Sequence, residues 1–295
     1  MSSQAPSGMT TAQQYDIGTP YHAVAQHPEH KSNNRMHVDG LPQKLGFRGP
    51  FVLGVSVYGY MTRALVARFG EAWLSRAAIE VKFIRPVCAG DRIRVETVPA
   101  PGGEAERAYD VTMYNETAEN EVSAKMRSSV PDPFPDIDPT AHEKPNEWEG
   151  PVTLRRTWDN IVVGKAYRSL RATLSAADNE HWTRVLDDDL AIYQEGDRPP
   201  IHPAHVLRQV QLGYNNQFIG ESAVHSSSRA VIRRMLRVGD PVHVLTVPLT
   251  KWEKKQNHWL TVYCAVRSGN EVCAEIFHTQ IIKLRGAESA AASGA

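Results

Sequence analysis

Residues 32–60 read SNNRMHVDGLPQKLGFRGPFVLGVSVYGY, and their order decides the fold. A polar loop carries His37. A short spacer with about one turn of helix follows, and Gly49-Pro50 then opens a long apolar segment, residues 51–69, that closes at Gly70. Residues 52–65 are apolar on nearly every side, which predicts a helix enclosed by protein rather than one lying on a surface. The first turn of a helix leaves N–H groups without intrahelical partners and carries the positive end of the dipole. Both suit a carbonyl oxygen that gains negative charge. A proton-transfer side chain facing such a helix start is the arrangement of an acyl-binding site.

The design returns about 150 residues later in altered form, as a tandem duplication would leave it. Tyr15-Asp16-Ile17-Gly18 resembles Ile161-Val162-Val163-Gly164. Ser32-Asn33-Asn34-Arg35-Met36-His37 lines up with Asp188-Asp189-Leu190-Ala191-Ile192-Tyr193. The run from Phe83 to Gly90-Asp91 lines up with the run from Ile232 to Gly239-Asp240. Two unrelated domains sharing a Gly-Asp turn are the plainer alternative. In each half a long helix, residues 51–69 or 203–218, precedes a set of strands. Residues 92–95 and 241–245 alternate as half-buried strands do, and 109–114, 121–130, 259–266 and 271–284 supply the rest. Pro101-Gly102-Gly103 and Ser268-Gly269-Asn270 are hairpin signals. One long helix and an antiparallel sheet in each half make an α+β pattern.

The chain has 295 residues, enough for two domains of ordinary size. Its 33 basic and 33 acidic residues cancel, so no global field attracts nucleic acid or an anionic membrane. Arg229, Arg233, Arg234 and Arg237 form a local basic run that suits either a solvated strand face or a phosphate-bearing ligand. Cys88, Cys264 and Cys273 lack CxxC spacing and read as buried, reduced thiols of a cytoplasmic protein. Residues 1–14 lack the charged start and apolar core of a secretory signal, and no apolar run reaches the ~18 residues that span a bilayer. Residues 1–14 and 286–295 are expected to be disordered, and the proline-rich stretch 131–151 to be a linker. His22, His27 and His30, and His202 and His205 around Pro203, match no metal signature and read as solvated loop histidines. Trp252 and residues 251–255 read as an exposed basic hairpin turn.

These landmarks resemble the hotdog fold, in particular the MaoC-like hydratase/dehydratase family in its tandem, double-hotdog form. The family motif runs Asp, two residues ending in Asn, Pro, an apolar residue and His, with a later Gly-Pro and a glycine near the helix start. Asn34, Met36 and His37 stand in that order here, followed by Gly49-Pro50 and Gly54. The resemblance implies two tandem hotdog domains forming a pseudo-dimer, over residues 15–130 and 152–285, each a central helix wrapped by an antiparallel sheet. The chain departs from the motif in both halves. Ser32 replaces the aspartate and Arg35 the proline. The second half keeps Asp188, but Tyr193 stands at the histidine place, Leu190 at the asparagine place, and Val206 where the first half has Gly54.

The resemblance implies hydration or dehydration of an acyl thioester, carried by coenzyme A or a carrier, without cofactor or metal. His37 would move the proton, Asn34 would orient the water, and Ser32 would hold water or a substrate hydroxyl. The backbone at Gly54, entered through Gly49 and Pro50, would bind the thioester oxygen. Asp39 is either a substitute carboxylate or the N-cap of the short helix beginning at Gly40 or Leu41. Asp188 and Tyr193 are weaker candidates. A homo-oligomer fits such a chain. A hotdog thioesterase remains open, as does a specialised lyase or a ligand-binding protein without catalysis.

Overall fold

A computed structural model describes residues 17–27, 34–38, 40–101, 107–219 and 223–285. Ser32, Asp39, Tyr15, Asp16 and the expected disordered ends lie outside the described residues. The first half contributes β1 (Tyr21–Val24), α1 (Leu41–Lys44), α2 (Gly54–Phe69), α3 (Glu71–Ser75), β2 (Ala77–Phe83), β3 (Arg92–Pro99), β4 (Tyr109–Asn115) and β5 (Glu121–Ser129). The second contributes β6 (Leu170–Thr173), α4 (Ala176–Val185), α5 (Pro203–Asn215), β7 (Val224–Ile232), β8 (Pro241–Lys254), β9 (Asn257–Ser268) and β10 (Glu271–Lys283).

These strands form one sheet in the order β1-β3-β4-β5-β2-β7-β10-β9-β8-β6. Read inward from either edge, the sequence of strands is the same. The inner strands β2 and β7 pair antiparallel from Ala77↔Ile232 to Lys82↔Ser227, which makes the sheet continuous across the two halves. Strands β3, β4 and β5 alternate buried side chains with half-buried or exposed ones, because one face packs on the core and the other is turned toward water. Along α2 every residue from Val55 to Thr62 is buried, so the helix is enclosed on all sides as its sequence predicts. α2 crosses α5 at Gly59, where a Cβ would lie 2.5 Å from Leu186 and 2.9 Å from Ala204.

The Gly-Asp turn is built identically in both halves. Gly90 and Gly239 both have φ +88°, a conformation that glycine adopts without steric cost. The Asp91 carboxylate accepts from the Cys88 N–H at 2.8 Å and pairs with Arg48 at 2.7 Å. The Asp240 carboxylate accepts from the Arg237 N–H at 3.0 Å and pairs with Arg198 at 2.5 Å. The backbones of Ala25 and Leu174 close the same ring of bonds with Gly90-Asp91 and Gly239-Asp240.

Several sequence expectations are corrected. α2 begins at Gly54, not at residue 51, because the Phe51 and Val52 N–H groups already bond the Met36 and Val87 carbonyls in extended backbone. α5 ends at Asn215 rather than 218. α4, capped by the Ser175 side chain, has no counterpart among the described residues of the first half. The stretch 131–151 is packed rather than loose: Arg233 donates to the Pro135 and Asp136 carbonyls, and Ala141 is fully buried against β8 and β9. The arginines of the basic run are engaged within the chain. Arg233 pairs with Glu275, Arg234 with Glu271, Arg237 with Glu71, and Arg229 lies over the Phe277 ring. Lys251 is no exposed turn residue, since it donates to the Trp158 and Ile161 carbonyls.

Asp91 gives a test of the turn. Burial alone would raise its pKa, but Arg48, the Cys88 N–H and the Asn115 amide together hold it below the usual carboxylate range. Asp91→Ala is expected to cost about 2–3 kcal/mol in urea denaturation at pH 7, since it strands a buried amide and breaks a charge-assisted pair. A depressed carboxylate stabilises the fold above its unfolded pKa of about 3.9 and ceases to as pH falls through its lower folded value. The variant should lack that part of the acid limb of the stability curve.

Candidate active site

His37 sits at the end of a 3-10 turn, Arg35–His37, whose N-cap Asn34 accepts from the Met36 N–H. The turn is strapped to the chain fourteen residues on. The Phe51 N–H donates to the Met36 carbonyl at 2.9 Å, and His37 Nδ1 lies 2.8 Å from the Phe51 carbonyl oxygen. A carbonyl only accepts, so Nδ1 carries the proton and Nε2 keeps its lone pair. Burial pushes the His37 pKa down to about 4. The bond to Phe51 opposes that shift, and His27 and Arg208 add to it. The ring is therefore neutral at pH 7.

His37 and Gly54 line one cavity of about 610 Å³. Phe83, Arg85 and Val87 form a wall from the first half, and Arg156, Arg208, Tyr214, His225 and Trp259 form one from the second. Among the described residues no carboxylate lines it. Gly54 is the first residue of α2, and the N-cap Leu53 offers no side-chain bond. The first N–H groups of α2 are thus available at the cavity wall.

Asn34 also lines the cavity, but its amide nitrogen donates to the Ala223 carbonyl at 2.7 Å while its oxygen caps the turn. It ties the motif loop to the second half. Gly49 and Pro50 do not line the cavity. Gly49 accepts from the Cys88 thiol, and the pair delivers Phe51 to its isolated bridge with Cys88.

The second half's counterpart is closed. Phe51↔Cys88 and Pro200↔Arg237 are equivalent bridges, which puts Pro203, not Val206, at the place of Gly54. α5 starts there with a full cap: His202 Nδ1 accepts from the Ala204 N–H at 3.1 Å, and the His202 N–H donates to Asn179. Asp188, 3% exposed, bonds His202 Nε2 at 3.1 Å and Arg63 of α2 at 2.5 Å. It does not reach the cavity and does not replace the missing aspartate there. Tyr193 is buried with its ring 4.8 Å from that of His202. His202 and His205, expected in solvent, are buried, and burial lowers the His205 pKa to about 4.

Sequence reasoning missed His225 and His278. His225 lines the cavity against Gly54, where a Cβ would lie 2.6 Å from its Nδ1. Its Nε2 is 2.8 Å from Ser228 Oγ, which is 3.2 Å from His278 Nδ1. His278 stacks on Tyr214 with ring centroids 4.6 Å apart. Burial drives both histidines down, His225 well below its ordinary value and His278 to about 3.

No family model matches the chain, and no curated protein matches it. Solved structures do. A MaoC domain protein dehydratase of Chloroflexus aurantiacus aligns at TM-score 0.58 and 14% identity, covering 96% of this chain and all of its own. A conserved hypothetical protein of Mycobacterium tuberculosis with a double hotdog fold aligns at TM-score 0.60 and 13% identity, over 92% of this chain and 99% of its own. A Lactobacillus plantarum protein described as an oleoyl thioesterase aligns at TM-score 0.50 and 9% identity, over 90% and 96%.

Three measurements test this geometry. In proton NMR titrations the His37 ring should stay neutral well below its unperturbed pKa of ~6.5. A histidine held low loses stability relative to the unfolded chain as pH falls from about 6.5 toward 4, and His37→Gln should remove part of that loss. Gly54→Ala must displace the His225 ring rather than a flexible chain end. It is expected to cost about 1–3 kcal/mol in thermal unfolding. The described chain carries the α+β hotdog fold, and its likeness to MaoC-like and double-hotdog structures at these identities is a likeness of fold.

Proposed function

We propose that the chain is a hydro-lyase that interconverts a 2-enoyl thioester and its 3-hydroxyacyl thioester, carried on coenzyme A or an acyl carrier. One observation carries the reading: a neutral histidine with a free Nε2 and the uncapped start of α2 border the same cavity. In the dehydration direction His37 Nε2 takes the α-proton. The electron pair moves toward the thioester carbonyl, whose oxygen is held by N–H groups at Gly54. The imidazolium, a strong acid where burial disfavours its charge, returns that proton to the β-hydroxyl, and water leaves as the double bond forms. Hydration is the same path reversed, so one base serves both steps and no carboxylate is needed to balance protons.

The matching strand orders and turns support reading residues 15–130 and 152–285 as tandem hotdog units paired as a pseudo-dimer, with 131–151 between them. Among the described residues no helix is long and apolar enough to cross a membrane. The three free, buried cysteines suit a reducing cytoplasm.

The test is a spectrophotometric assay with short- and medium-chain enoyl-CoA and 3-hydroxyacyl-CoA, with free thiol followed in parallel. Wild type should turn over at least one pair, and His37→Ala should lower kcat about 100-fold or more. Equal turnover in the variant, or no turnover of any substrate, defeats the proposal. Thiol release without hydration selects a thioesterase instead.

A further inference from the structure

A row of side chains leads out of the cavity across four strands. Val224 on β7 is paired with Ile281 on β10, Ile281 with Trp259 on β9, and Trp259 with Trp252 on β8. Directly paired residues project from the same face of a sheet. Val224, Ile281 and Trp259 line the cavity, and Trp252 lies one strand beyond it. Trp252 reaches that face through a bulge. The register of β8 with β9 runs Pro248↔Val262 and then Thr250↔Thr261, so Leu249 is an extra residue. Regular alternation would have put Trp252 on the face of Thr246, whose hydroxyl touches the buried Cys264 thiol.

The two indoles are stacked, 15° from parallel with centroids 5.9 Å apart, so Trp259 supports one side of Trp252. On the other side β8 has no strand neighbour, because β6 pairs with it only from Pro241 to Val244. Trp252 is half-buried at that edge. Lys251 anchors the adjoining backbone by donating to the Trp158 and Ile161 carbonyls. Alternation puts the exposed Lys254 on the face of Trp252. Asn257 is paired with Lys254 and accepts from the Arg285 N–H at 2.7 Å, which brings the exposed Arg285 to the same end of the hairpin. The only acid in residues 251–258, Glu253, is turned to the opposite face, where it lies 3.8 Å from His258. This end of the row therefore carries a supported ring and two cations.

Such a pairing recognises a nucleotide, because a base stacks its π-face on an indole while cations take the phosphates. We propose that Trp252 stacks the adenine of coenzyme A, with Lys254 and Arg285 taking its phosphates, and that the chain thereby selects coenzyme A thioesters over carrier-bound ones. Three strand spacings, about 14 Å, separate Val224 from Trp252. The pantetheine arm and diphosphate of coenzyme A bridge such a gap, so the base meets Trp252 while the thioester lies in the cavity. The same arm on an acyl carrier ends at a protein serine and brings no base to stack. The proposal deepens the hydro-lyase reading and rests on it for the thioester; the nucleotide site stands without it.

Calorimetric titration with adenosine 3′,5′-bisphosphate, the nucleotide end of coenzyme A, should show binding that weakens with salt. Trp252→Leu should raise its Kd about 10-fold, and Trp252→Phe should raise it much less. The Lys254→Ala, Arg285→Ala double variant should bind more weakly and with a flatter salt dependence, and its exposed positions serve where the leucine variant fails to fold. Kinetics with but-2-enoyl-CoA and the N-acetylcysteamine thioester of the same acid, which lacks the nucleotide, read the site in turnover. Trp252→Leu should lower the ratio of their kcat/KM values about 10-fold, through the KM of the coenzyme A substrate. No binding of the bisphosphate by wild type, an unchanged Kd in the variants, or an unchanged ratio overturns the proposal. A carrier-bound enoyl thioester that turns over as well as the coenzyme A one overturns the selection. Bisphosphate binding that depends on Trp252, in a protein that hydrates no enoyl thioester, retains the nucleotide site and removes only the hydro-lyase reading.

Discussion

Antiparallel pairing of β2 with β7 is the contact on which the rest of the molecule hangs. It turns two short meanders into one sheet and fixes how far the second half slides along the first. Because Lys82 pairs with Ser227, the residues just before β7's regular ladder come level with Phe83 and the entry to α2. Phe83 meets the His225 ring at 4.4 Å between centroids. A slip of one residue would send every side chain of β7 to the other face. The cavity would then lose Val224, His225 and Ser226, and with them part of its second wall.

The two halves use one plan for opposite ends. Where the first half leaves its helix start uncapped beside a void, the second seals its own with His202, Asn179 and Pro203. The aspartate that the motif retains at position 188 neutralises Arg63, a cation projecting from α2 whose side chain is 14% exposed. Removing either partner would strand a buried charge, which is far costlier than never burying the pair. The retained motif residue is thus held by stability, and the void by a glycine that no side chain can replace without moving His225.

Much of the fold was legible because its signals are local. Strand alternation, the enclosed helix and the glycine-aspartate turns all follow from short-range sterics and burial, and the turns match bond for bond in the structure. His37 was legible for the same reason, lying in a motif with its helix close behind. What escaped depends on pairing at long range. Nothing in VHSSSRAVI says that Ser226 is an extra residue, since a bulge belongs to the register with β10 and not to the strand alone. Regular alternation would have separated His225 from Ser228. Likewise the partner of Asp188 is an arginine 125 positions away, and the start of α2 is set by carbonyls of Met36 and Val87 rather than by a capping side chain.

On the hydro-lyase reading, the electrostatics of the cavity decide how the work is shared. A carboxylate paired to the imidazole would strengthen the base and stabilise the imidazolium. Here burial and Arg208 act the other way and weaken it. A weak base removes an α-proton only if the product anion is strongly held, so the thioester oxygen must receive more of the stabilisation. The groups for that task are those at the walls: the start of α2 with its positive dipole end and the guanidinium groups of Arg156 and Arg208. A cavity that disfavours cations on histidine while offering donors and positive charge to the substrate is tuned to the enolate rather than to the base. That arrangement explains why the ring at position 37 needs only a carbonyl to fix its tautomer.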